Sequence, residues 1–250
     1  MKKKNKVENK RLDTIDVLRG VMIILMIIFH SIYDYEMFSG NILGSWKEII
    51  GEVSRCGFIL IAGMSRILAK KNLKNGIEVS VCGIIITLAT LIVMPSETIV
   101  FGILTFMGAA ILMYIPLKKP IDKINPIAGM GVCFTLFLLL RNMSRGVIGI
   151  FGNTLLQIPD FFYRNYITSF FGFPHNGFRS SDYFPFFPWF FLFLTGVFLM
   201  KEIKKHEIPK IMYLDIKPLS FLGRHSLIIY MAHQVVIYGI FYLIYNFILG

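Results

Sequence analysis

The stretch RGVMIILMIIFHSIYD, Arg19 to Asp34, sets an arginine, a histidine and an aspartate into a run otherwise fit for lipid. His30 and Asp34 stand four apart, so on a helix they share a face. A carboxylate so placed can hold one imidazole nitrogen and leave the other to take a substrate proton, the logic of a general base. Asp16 and Arg19, three apart, can pair near the start of the same helix. At about 100° per residue, Asp16, Arg19, His30 and Asp34 fall within an arc of about 80°. The rest of the circumference is Val, Ile, Leu, Met and Phe. Each ionisable group inside a membrane costs about 2.5–3.5 kcal/mol on insertion scales. Such a stripe needs a wet cavity or mutual partners. Arg19 to His30 is about 16 Å of rise, which carries the stripe from one headgroup layer past the midplane.

A second stretch, FLGRHSLIIYMAHQVVIYG, repeats the pattern. Ser226, Tyr230, His233 and Gln234 fall within about 100° of one another. Arg224 and His225 mark the cationic end, and His233 lies about 12 Å deeper, near the level of His30. Two spans of this kind suggest one shared tunnel. The plainer readings are interhelical hydrogen-bonding histidines, snorkelling arginines, Asp16 favoured by the helix dipole and Gly20 as a packing glycine.

These residues need membrane helices to carry them. The 250 residues are 55% hydrophobic and only 16% charged, where soluble domains run near one quarter charged. The fold class is therefore all-α, a polytopic membrane helix bundle. The formal net charge of +11 is read through the positive-inside rule and not as a nucleic-acid surface. Seven spans are expected, at 16–36, 48–69, 77–95, 98–116, 126–140, 183–200 and 220–248, after a basic cytoplasmic tail over 1–15. Residues 16–250 are read as one membrane domain. The second span carries Glu52, Arg55 and Arg66, which weakens its signal. The first apolar run is too long for a cleavable signal and has no small-residue cleavage site.

The tail, KKNLKNG, PLKKPIDKINP and KEIKKHEIPKIMYLDIKP hold most of the lysines. Seven spans place all four on one side, the cytoplasm, with the C-terminus outside. The outer side receives the segment 141–182, dense in Phe and Tyr and punctuated by Gly and Pro. A stretch of that length is usually functional; short interfacial or re-entrant pieces covering an opening are expected. Arg179, Asp182, Tyr183 and Trp189 cluster at the entry to the sixth span. They could form a sugar platform, and an interfacial aromatic belt explains them equally. His175 is read as a turn residue. Cys56, Cys82 and Cys133 show no metal or disulfide spacing and are read as packing residues; no metal is expected.

IDVLRGVMIILMIIFHSIYD resembles the opening of the heparan-α-glucosaminide N-acetyltransferase-like catalytic domain family. Arg19-x10-His30 is similar to the R-x10-H signature of the wider transmembrane acyltransferase group. FILIAGMS from Phe58, SDYFPFFPWFFLFLTGVFL from Ser181 and LGRHSLIIYMAHQ from Leu222 extend the resemblance. FGILTFMGAA from Phe101 also fits, except that Thr105 stands where histidine is expected. The resemblance implies acetyl-CoA as co-substrate, entering from the cytoplasm, and an extracytoplasmic glycan or glycolipid acceptor. Guanidinium suits phosphate, so Arg19, Arg224 and His225 would hold the coenzyme, with Ser226, Tyr230 and His233 along its arm. His30 would act as general base or transient acyl carrier. The bilayer is the other partner, no nucleic acid is implied, and a homodimer is among the assemblies such a chain can form. Two rival readings remain at this stage: a transporter or flippase using the same stripe, and a non-catalytic membrane subunit.

Overall fold

Asp13 and Asp16 occupy the first turn of α1 (Asp13–Ser39), where the positive helix end favours carboxylates. Gly40, at φ 71°, ends the helix, its N–H donating to the Glu36 carbonyl at 3.0 Å. The computed structural model describes residues 11–150 and 153–248, arranged as two compact units. Of the described residues, one unit holds 11–61 and 206–248; the other lies within Ala62–Lys205.

In the first unit, α1 packs against α8 (Lys217–Arg224) and α9 (Ser226–Leu243). Glycines set how closely α1 meets α8. A Cβ on Gly20 would overlap the Leu219 carbonyl, and one on Gly223 would overlap the Asp16 carbonyl. The Thr14 hydroxyl donates to the carbonyl of Ile211, in the turn Lys210–Tyr213. The first part of α2 (Trp46–Leu68) lies on the other flank of α1. Ser54 Oγ donates to the Met22 carbonyl at 2.9 Å, and Gly51 and Gly57 accept the side chains of Phe29 and Met22.

In the second unit, α3 (Asn72–Val93) and α4 (Ile103–Lys123) pack closely. Gly83 faces Thr105 and Gly108 faces Ser80 with no room for a side chain. α5 (Pro126–Leu140) starts at a Pro behind Asn125, whose side chain accepts from the N–H groups of Ile127 (3.0 Å) and Ala128 (3.3 Å). It packs on α7 (Phe186–Lys205), and Gly63 on α2 receives the Phe193 carbonyl.

Among the described residues, six helices are long and apolar enough to cross a membrane: Asp13–Ser39, Asn72–Val93, Ile103–Lys123, Pro126–Arg145, Phe186–Lys205 and Ser226–Phe247. The expected second span forms as the 23-residue α2 but carries Lys47, Glu48, Glu52, Arg55 and Arg66, so composition does not qualify it. The expected fourth span starts late and ends late. Residues 98–102 are pinned to residues 180–184 instead of being helical. α4 then runs on through Pro116 and Pro120 to Lys123, into the expected loop. Lys201 Nζ makes that possible by donating to the carbonyls of Ile121 (2.8 Å), Asp122 (2.9 Å) and Ile124 (2.8 Å) at the helix end. The expected last span is not one helix: His225, at φ −100° and ψ 14°, separates α8 from α9.

The helical bundle fits the expected all-α class, and segment 141–182 adds a short hairpin to it. Val147–Ile150 (β1) and Asn153–Gln157 (β2) pair antiparallel, with a register irregularity between Ile148 and Gly149. A 3-10 turn (Asp160–Arg164) and α6 (Tyr166–Phe171) follow. Tyr163 Oη donates to the Met143 carbonyl at 2.5 Å and Tyr183 Oη to that of Ser169.

Candidate active site

Helix α1 carries its polar stripe past two different sets of partners. At the first end, buried Asp16 collects three guanidiniums. Arg11 donates through Nε (2.8 Å) and Nη2 (2.5 Å), Arg19 through Nη1 (2.9 Å), and Arg224 Nε lies 3.7 Å away. Arg19 Nη1 also donates to the Gly223 carbonyl at 3.2 Å, tying α1 to the end of α8. The Asp16–Arg19 pairing at i, i+3 is therefore present.

Arg224 is different in kind. Its ion pairs, to Asp13, Asp16 and Asp215, run from 3.7 to 3.8 Å, and its side chain is 41% exposed. Three carboxylates thus face three arginines: Arg11 and Arg19 make short contacts to Asp16, and Arg224 makes only long ones. His225 is exposed; its Nδ1 bonds the Phe221 carbonyl at 2.9 Å and its ring lies over Phe221. Ser226 opens α9, whose N-terminus has no side-chain cap.

Deeper along the stripe, α1 and α9 bring their histidines together. The rings of His30 and His233 lie 4.8 Å apart, centre to centre, tilted by 61°. His233 is buried, and its Nδ1 bonds the Tyr230 carbonyl at 2.5 Å, which fixes the proton on that nitrogen. Its Nε2 is buried and has no hydrogen-bond partner among the described residues. His30 is half-buried and meets the rings of Phe29 and His233.

The expected His30–Asp34 dyad is not what forms. Asp34, 1% exposed, accepts from Gln234 Nε2 at 3.2 and 3.3 Å. Two residues one helical turn apart share a face, but an amide from the facing helix reaches the carboxylate more directly. Asp34 therefore anchors α9 to α1 one turn beyond the histidines.

Helix α2 adds the charged residues that weaken its signal as a span. Arg55 Nη2 donates to Glu52 Oε2 at 3.1 Å, and Cys56 Sγ donates to Glu52 Oε1 at 3.2 Å. The Arg55 guanidinium lies over the Phe29 ring, 5.7 Å from its centre, within electrostatic reach of His30. The signal was visible: an acid and a base three apart inside an apolar helix have a partner or a purpose.

The residues proposed for an acceptor lie in the second unit and carry structural duties. Asp182 Oδ2 accepts from the Ile103 N–H at the start of α4, at 3.4 Å. Tyr183 holds the Ser169 carbonyl, and burial pushes its hydroxyl above the ordinary tyrosine range. Trp189 packs between Phe137 and Phe184. Arg179 is exposed. His175 opens a turn closed by Phe178 N–H on its carbonyl at 2.9 Å.

The model of the heparan-alpha-glucosaminide N-acetyltransferase catalytic family matches residues 11–235. The chain belongs to this family. The match takes in both polar stripes, from Arg11 to beyond Gln234, and both units. A family of membrane acetyltransferases that use acetyl-CoA accords with the apolar helices of an integral membrane protein. Comparison with curated proteins and with solved structures gives no match.

Proposed function

We propose that this protein moves an acetyl group from cytoplasmic acetyl-CoA to an extracytoplasmic glycan or glycolipid acceptor, with His30 as the base or acyl carrier. The observation that carries this reading is the meeting of His30 and His233 deep in two apolar helices, in a chain of this family. Packing alone does not call for two imidazoles, a carboxylate and an Arg–Glu pair at mid-helix.

The donor's phosphates would sit at the Asp16 end, on the side that the basic segments mark as cytoplasmic. Arg224 suits them, because its side chain is exposed and a phosphate can replace its long carboxylate contacts; exposed Arg11 could join it by releasing Asp13 while keeping Asp16. Arg19 we assign to positioning: it holds Asp16 and the Gly223 carbonyl. His225 and Ser226, at the uncapped start of α9, could add contacts to the same anion. The acyl-bearing arm would then run past Tyr230 toward His30.

There, a neutral imidazole takes the proton of the acceptor's hydroxyl or amine as that atom attacks the acetyl carbon. A carrier role for His30 would split the transfer in two. On the outer side, Arg179 is an exposed cation that could meet an acceptor, with Tyr183 and Trp189 supporting its surroundings. A transporter using the same stripe has no comparable observation in its favour.

The direct test incubates the purified protein with labelled acetyl-CoA and glucosamine and follows thioester loss and product. Turnover that drops about 1,000-fold in His30→Ala supports the reading. No turnover above background, or equal turnover in the variant, sinks it.

A further inference from the structure

His233 has a feature that no role in coenzyme binding requires. Its Nδ1 is committed to the Tyr230 carbonyl, so a neutral ring carries a bare lone pair on Nε2. That atom is buried and without a hydrogen-bond partner among the described residues. A buried acceptor left unsatisfied is costly, and such a group calls for an explanation. The nearest ring is His30, 4.8 Å away centre to centre. The two rings meet edge-on at 61° with no hydrogen bond between them in the described structure, so a relay requires the His30 ring to turn an N–H toward Nε2. No hydrogen bond among the described residues fixes the His30 tautomer, so its ring can present an N–H to His233.

We propose that His233 is a proton relay for His30, a positioning residue that accepts and returns a proton through Nε2. The inference rests on the acetyltransferase reading above and commits His30 to the role of base. In the forward step, one nitrogen of His30 takes the proton of the acceptor's O–H or N–H. The proton on its other nitrogen passes to His233 Nε2. The acceptor atom bonds to the acetyl carbon, the C–S bond breaks, and sulfur leaves with the electron pair. The thiolate then takes the transferred proton from His30, and His233 returns its own to His30. Both rings end neutral, and the products are acetylated acceptor and free thiol.

The Tyr230 carbonyl serves both states, since Nδ1–H donates to it whether His233 is neutral or charged. The other titratable groups near the pair include Tyr230, whose ring lies 5.1 Å from that of His233, Asp34, already held by Gln234, and Glu52 with Arg55 and Cys56 on α2. Among these, His30 alone combines adjacency to His233 with a ring free of hydrogen bonds in the described structure.

The experiment uses the full-length protein in detergent, with acetyl-CoA and glucosamine as the donor and acceptor probes. In His233→Gln, kcat is expected to fall about 100-fold while KM for acetyl-CoA stays within about 2-fold. In parallel, ¹⁵N NMR of histidine-labelled wild type is expected to show His233 protonated at Nδ1 and bare at Nε2. The Nε2 signal should shift in His30→Ala. Wild-type turnover with kcat unchanged in His233→Gln, or an Nε2-protonated His233, overturns the relay and leaves the acetyltransferase reading standing. If His233→Gln does not fold, the NMR result on wild type decides alone. A wild type that never consumes the thioester overturns both.

Discussion

The residue that separates stability from function most cleanly is Arg19, because its neighbour in role, Arg224, sits at the same carboxylate with much looser contacts. Arg19→Ala strips a short ion pair from buried Asp16 and a donor from the Gly223 carbonyl, although Arg11 still holds Asp16. The expected cost is about 1–3 kcal/mol, read as a lower melting temperature. Arg224→Ala should leave melting unchanged and raise KM for acetyl-CoA. Equal effects of the two variants would contradict this division. Gln234→Leu supplies a third case. It leaves the Asp34 carboxylate buried without its amide donor and is expected to destabilise by about 1–3 kcal/mol.

At this scale the sequence was legible in type and not in pairing. His30, Asp34, His233 and Gln234 were all identifiable as costly groups on two stripes. Periodicity along one helix relates i to i+4, and so it pointed to His30–Asp34. The observed pairs, His30 with His233 and Asp34 with Gln234, cross between helices about 200 residues apart in the chain. Nothing in the spacing of either helix encodes their mutual rotation.

The elements follow the same division. Apolar runs located the helices well, and α5 matches its expected bounds, 126–140, because Asn125 and Pro126 start it by local chemistry. The misjudged ends depend on distant groups. Prolines at 116 and 120 mark a helix end by local rules. Yet α4 continues to Lys123, where the ammonium of Lys201, some 80 residues on, satisfies its last carbonyls. The break at His225 falls where Gly223, Arg224 and His225 interrupt the apolar run. That break sets α8 against α1 through Gly20 and Gly223. Gly20→Val should force the Leu219 carbonyl away and cost about 1–3 kcal/mol or more, seen as lost thermal stability. Unchanged melting would show that the α1–α8 approach does not support the unit.

For the whole molecule, the open element is α2. Its length of 23 residues suits a span, and its charges find partners: Arg55 with Glu52, Lys47 with Glu36. Charges neutralised within the fold do not oppose insertion as lone ones would. We expect α2 to cross the bilayer. In a cysteine-free background, Asn41→Cys and Lys71→Cys should then react with impermeant thiol reagents from opposite sides of the membrane. Labelling from one side would reduce the spans to six and reverse the sidedness of everything beyond α2.

The central claim is transfer across the membrane through the histidine pair. It is tested most directly in sealed vesicles of uniformly oriented protein, with labelled acetyl-CoA outside, facing the Asp16 end, and glucosamine trapped inside. The account predicts acetylated glucosamine in the lumen for wild type and background levels for His30→Ala. No luminal product from wild type, or the same amount from both proteins, would contradict it.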